Sequence, residues 1–133
     1  MIYINDNVKY WLDIADYDLE TARAMLISRR LLYVGFMCHQ TIEKALKAVI
    51  ACECIDDEMP PKIHNLQKLA EKANLFEKMT EEQKNIISQL NPLNIEARYP
   101  EYKNRIGANL TNDICQTLII ETEGLFCWIK QQL

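Results

Sequence analysis

The sequence predicts an all-α protein, an up-and-down bundle of about five helices. Three observations carry this. Apolar residues recur at helical spacing through most of the chain, and no segment alternates convincingly at period two. Glycine and proline are scarce, with 3 Gly and 4 Pro in 133 residues, which favours long uninterrupted helices over a turn-rich β fold. Hydrophobic residues make up 49% and charged residues 26%, near average usage, so a core is expected and disorder is not. With no Pro/Gly/Ser-rich linker to divide it, the chain reads as one domain over 1–133.

Asn5 and Asp6 can cap a first helix running to about Arg30. Val8, Trp11, Leu12, Ala15, Leu19, Ala22 and Leu26 share one side of it, and Lys9, Asp13, Asp16 and Glu20 mark another. Ile14, Asp18 and Met25 blur that wet side, so the helix is broadly amphipathic. A second helix runs from near Leu31 to about Glu53. Cys38, Ile42, Ala45, Val49 and Cys52 form its apolar seam, widened by Leu46 and Ile50. Gly35, Ala45 and Ala48 would let a neighbouring helix approach closely. Pro60 and Pro61 then prevent helix from continuing.

"HNLQKLAEKANL" reads as a short third helix with Leu66, Leu69, Ala70 and Ala73 inward and Asn65 or His64 near its start. Thr80 followed by Gln83 fits a capping box, opening a helix that buries Ile86, Ile87 and Leu90 and ends by Asn91-Pro92. "NPLNIEARYPEYKNRIGAN", from Asn91 to Asn109, is the least regular stretch. It clusters Arg98, Tyr99, Tyr102, Lys103 and Arg105 around Pro100 and Gly107, and connections this long are often functional. A last helix from about Thr111 to Gln131 places Ile114, Leu118, Leu125 and Ile129 on one side, widened by Cys115, Ile119, Thr122 and Phe126.

The net charge of −4 gives no electrostatic reason for tight binding to a nucleic-acid backbone. The N-terminal residues lack a basic region followed by an apolar run, and no window approaches the ~18 apolar residues of a membrane span. Five cysteines, Cys38, Cys52, Cys54, Cys115 and Cys127, show no framework spacing, which fits buried thiols in a reducing cytoplasm. Cys52 and Cys54 point to different sides of a helix, so a metal site made from them with His64 is disfavoured, and no metal or other cofactor is expected.

Gln40, Glu43, Lys44 and Lys47 lie three, four and seven apart, so they form a polar stripe on the otherwise apolar second helix. One account is a solvated face with a Glu43–Lys47 ion pair worth ~0.3–0.5 kcal/mol. The other is a polar site between helices, where an amide and two ammonium groups suit a phosphate or a nucleobase edge. His39 neighbours this face. His64 at a helix start is either a cap or a contact to an anion. Arg98 can grip a phosphate and Tyr99 can stack on a base; equally, Tyr99-Pro100 can staple the loop, with Arg98 paired to Glu96 or Glu43. No phosphate-cradling Gly loop, H-E-x-x-H or G-x-S-x-G pattern is present.

"FMCHQTIEKALKAVI", then "PPKIHNLQKLA" and "EARYP", resembles the HEPN domain family, as do the opening "YWLDIADYDLETARAML" and closing "WIKQQL". The resemblance covers nearly the whole chain. It implies a helical bundle like the substrate-binding subunit of nucleotidyltransferases, a homodimer, and a small nucleotidyltransferase as partner in toxin–antitoxin-type modules. Many members are ribonucleases with an Arg followed by four to six residues and a His. Here the windows after Arg23, Arg29, Arg30, Arg98 and Arg105 contain no His, so no catalytic residue is carried over. Gln40, Glu43, Lys44, Lys47, His64, Arg98 and Tyr99 are carried over as an expected site for an ATP-like nucleotide. Two alternatives stay open: a ribonuclease toxin with a non-standard set, Arg98, Arg105 and His64, and a ligand-free protein-interaction module.

Overall fold

The structure, a computed structural model, describes residues 6–53, 60–94 and 109–133. Among these, five α-helices appear: α1 (Asp6–Ile27), α2 (Leu31–Glu53), α3 (Leu66–Lys72), α4 (Glu81–Leu90) and α5 (Asn112–Gln131). Short 3-10 turns, Phe76–Lys78 and Asn91–Leu93, lie on either side of α4. No strand occurs among the described residues, and the all-α bundle expected from the sequence is the observed one.

Helix α1 ends three residues earlier than its apolar spacing implies. Arg29 adopts φ 57°, its N–H bonds to the Leu26 carbonyl, and the Arg30 N–H reaches back to Met25 O at 2.8 Å. That is a Schellman stop, usually made with glycine. The same arrangement closes α3, with Asn74 at φ 60° and the Leu75 N–H bonded to Ala70 O. The three-residue link between α1 and α2 folds them into an antiparallel hairpin, the most extensive helix–helix packing among the described residues.

The central element is α2. It packs against α1, α3, α4, α5 and the second 3-10 turn. Its apolar seam is buried at Cys38, Ile42, Ala45 and Val49, while Cys52 and Ile50 are half-buried. Gly35 serves a close approach, as its position suggests, but the approaching group is a side chain. A Cβ there would stand 3.0 Å from Leu93 Cδ1 and 3.5 Å from Leu110 Cδ1.

Helix α3 starts at Asn65, not His64: the Asn65 carboxamide oxygen accepts from Lys68 N at 3.0 Å. The Asn91 carboxamide oxygen accepts from Leu66 N at 3.0 Å and ties that start to the end of α4. The capping box at Thr80 and Gln83 is present in both directions. In α5, Leu118, Leu125 and Ile129 are buried, but Ile114 is 47% exposed and does not join the core. Asn5 and the Asn5 cap, Cys54, Glu96 and the cluster from Arg98 to Arg105 lie outside the described residues.

Candidate functional site: a buried ion cluster on the central helix

Because α2 is enclosed on several sides, its polar stripe does not form a solvated face. Glu43 and His39 are completely buried, and the Lys47 side chain is 7% exposed. Lys44 keeps 19% of its side-chain surface, and His64 keeps 63%. Burying one carboxylate alone would be prohibitive, so it must be paired and hydrogen-bonded.

Glu43 Oε2 accepts from Lys47 Nζ at 3.1 Å and from Lys44 Nζ at 3.3 Å. Its other oxygen, Oε1, bonds to His64 Nδ1 at 3.1 Å, and His39 Nδ1 stands 3.7 Å away. Helical geometry stacks His39, Glu43 and Lys47 at i, i+4 and i+8. His64 arrives from another element, carried by the turn in which Ile63 N bonds to Pro61 O at 2.8 Å and held by the capped start of α3. Both lysines lie over the Trp11 ring of α1, with Lys47 Nζ 5.6 Å and Lys44 Nζ 5.9 Å from its centroid. Toward the other end of the stripe, Lys44 donates to Gln40 Oε1 at 3.1 Å, and Gln40 Nε2 donates to Asn94 Oδ1 at 2.9 Å.

Burial pushes the Glu43 carboxyl up, but Lys44, Lys47 and His64 outweigh that and hold it below the usual carboxylate range. His39 is taken down to about 4, chiefly by burial, against the pull of the Glu43 charge. It is therefore a neutral imidazole at pH 7. Asp18 on α1 faces the same cluster; burial raises its carboxyl, opposed by Lys44 and assisted by Glu43. Among the described residues Trp11 Nε1 is buried with no hydrogen-bond partner, and the polar neighbours of the buried His39 ring are the Glu43 carboxylate and the His64 backbone.

The structure thus joins Gln40, Glu43, Lys44, Lys47 and His64 into one connected network. Arg98 and Tyr99 lie outside the described residues. Trp11, Asp18 and Asn94 belong to the same network, yet nothing in the sequence singled them out for it. Trp11 sits in an apolar helical pattern and Asp18 among several acids. Lys47 is paired with Glu43, and its side chain is 7% exposed, so of the two stripe lysines Lys44 is the one with more surface open to solvent. No group of three or more His, Cys, Asp or Glu among the described residues is arranged to hold a metal, and no helix among them is long and apolar enough to cross a membrane.

The chain is thus an all-α bundle built around a central helix on which a buried glutamate gathers two lysines and a histidine. The HEPN domain model matches residues 8–132, and the chain belongs to that family. No curated protein and no solved structure matches it.

Proposed function

We propose that this chain is a non-catalytic HEPN domain that binds an ATP-like nucleotide or assists a small partner nucleotidyltransferase in doing so, in a cytoplasmic toxin–antitoxin-type module. The observation that carries the reading is the Glu43-centred network with the orphaned Trp11 donor beside it. Native interiors pair nearly all such atoms, so a buried donor left unpaired beside the cluster supports a site completed by something else. Lys44 and His64 are its groups that reach solvent, and they are the ones offered to a phosphate. Lys47 and Glu43 hold the cluster in shape behind them. The acidic net charge and the absence of an Arg–His ribonuclease spacing favour a non-catalytic role.

The test is thermal unfolding of the full chain against a panel of nucleotides, with Lys44→Met beside it. A ligand at ~100 times its Kd adds about 2.7 kcal/mol, several degrees for a domain of this size. The expected result is a rise with an adenine nucleotide that is absent in Lys44→Met when each protein is compared with its own unliganded Tm, which in Lys44→Met is lower because buried Glu43 loses a partner. No rise with any nucleotide would refute binding by the isolated chain.

One observation favours a second reading, a ribonuclease with a non-standard site. A buried carboxylate holding Nδ1 of an exposed imidazole is how enzymes orient a general base. RNA degradation by the purified chain that disappears in His64→Ala would replace the non-catalytic reading with this one.

A further inference from the structure

We infer that Asn94 is a binding residue of this site, and that its side-chain amide N–H group donates to a phosphate oxygen of the ligand. This rests on the nucleotide-binding reading above and adds a residue, a contact direction and a ligand group to it.

The inference follows from the sense of a hydrogen-bond chain. An ammonium has donors and no acceptor. Lys44 Nζ therefore obliges Gln40 to present its carbonyl oxygen, Oε1, at 3.1 Å. The Gln40 amide nitrogen must then face the other way, where it donates to Asn94 Oδ1 at 2.9 Å. With its oxygen turned toward Gln40, Asn94 is left with Nδ2 and its two hydrogens at the outer end of the chain. None of the described residues accepts from it. Orientation of two amides is thus dictated by one charge two residues away along the chain.

Position is equally constrained. Asn94 directly follows Leu93, which is buried against Gly35 of α2. The missing side chain at Gly35 lets Leu93 come in close, and this brings Asn94 within reach of Gln40 about one and a half turns further along α2. Both Gln40 and Asn94 are half-buried, so the terminal amide sits at the edge of the cluster rather than in bulk water.

The ligand group follows from what the chain lacks. Glu43 pairs with both lysines and Asp18 acts on Lys44, so the site offers directed donors rather than a large net positive charge. A donor at the end of a chain headed by an ammonium is polarised by it. Its strongest partner is an anionic oxygen, and among the parts of a nucleotide that is the phosphate.

The experiment is calorimetric titration of the full chain with two separate probes, inorganic tripolyphosphate and adenosine. Asn94→Asp keeps an acceptor for Gln40 and replaces the outward donors with a second carboxylate oxygen; Asn94→Ala removes the group without adding charge. The expected result is a tripolyphosphate Kd at least tenfold weaker in Asn94→Asp and about threefold weaker in Asn94→Ala, adenosine binding within twofold of wild type, and a Tm within ~2 °C in both. Tripolyphosphate binding within twofold of wild type in Asn94→Asp would overturn the role of Asn94 and leave nucleotide binding standing. Adenosine bound but not tripolyphosphate would overturn the phosphate assignment alone. Binding of neither probe by wild type would overturn this inference together with the nucleotide-binding reading.

Discussion

Two histidines in this chain meet the same carboxylate from opposite circumstances. His64 is largely exposed and hydrogen-bonded to Glu43, while His39 is buried with its Nδ1 3.7 Å from the same carboxylate. The difference has a consequence for stability. Because the folded-state pKa of His39 lies near 4, below its ordinary 6.5, the unfolded chain takes up a proton first as pH falls. Its contribution is fully present above pH 6.5 and is lost between about 6.5 and 4, on the order of 2–3 kcal/mol. Glu43 has a depressed pKa, so its contribution is present above the ordinary carboxylate value and is lost as pH falls through the lower folded value. Urea midpoints measured from pH 7.5 to 4 should therefore decline steadily below pH 6.5. The slope between 6.5 and 5 should flatten in His39→Phe. An unchanged slope in that variant would show that His39 is not the group responsible. At this scale the sequence revealed which residues share the stripe, because i, i+4 spacing is local. It offered the Glu43–Lys47 pair but not the burial of that pair or the approach of Trp11, His64 and Asn94, which come from other elements.

Helix ends divide into those written in side chains and those written in backbone. The Thr80–Gln83 box was readable in advance because both partners are side-chain types with a fixed spacing. The stops at Arg29 and Asn74 were not, since each uses a left-handed residue in the place where glycine is the usual signal. Arg29 is exposed and has a Cβ that crowds the following carbonyl in this conformation. Arg29→Gly should therefore raise stability by about 0.5–1 kcal/mol, visible as a higher urea midpoint with the slope unchanged. A decrease would mean that the arginine side chain holds the turn by contacts that outweigh its backbone strain. Ile114 shows the reverse failing. Its spacing places it with the core residues of α5, but the α4–α5 contact leaves it at the mouth of a groove lined by Gln89, Leu93, Leu110 and Leu118.

For the molecule as a whole, surface that the bundle leaves uncovered matters as much as what it buries. Tyr17 is 74% exposed, Ile27 85% and Ile120 70%. Tyr10, Tyr17 and Ala24 repeat at seven-residue intervals on the outer side of α1. The exposed Arg23 side chain bridges Glu20 and, across the helix interface, Glu123 of α5, so the outer faces of α1 and α5 are neighbours. Exposed apolar residues on both helices are what the homodimer implied by the family resemblance would cover, and we propose that pairing here. Light scattering at micromolar concentration should give a dimer mass for wild type and a monomer mass for Tyr17→Glu. A monomeric wild type would refute the dimer.

What the chain determined by itself is whatever depends on near neighbours in sequence. Period-3.6 patterning, the scarcity of glycine and proline, and the capping box were enough for an all-α bundle and for most of its core. The family, too, was visible in "QTIEKALKA" and "HNL" at their separation. What only the tertiary structure decided is the state of the stripe on α2. Spacing places Gln40, Glu43, Lys44 and Lys47 together but says nothing of what lies opposite them. Enclosure by α1, α3, α4 and α5 took most of the stripe out of water and left the account of a polar site between helices, not that of a solvated face. Once there, Glu43 could remain charged only by gathering both lysines and a histidine brought from another segment. The desolvation of one carboxylate, set by contacts between residues far apart in the chain, is what turned a surface pattern into an interior cluster.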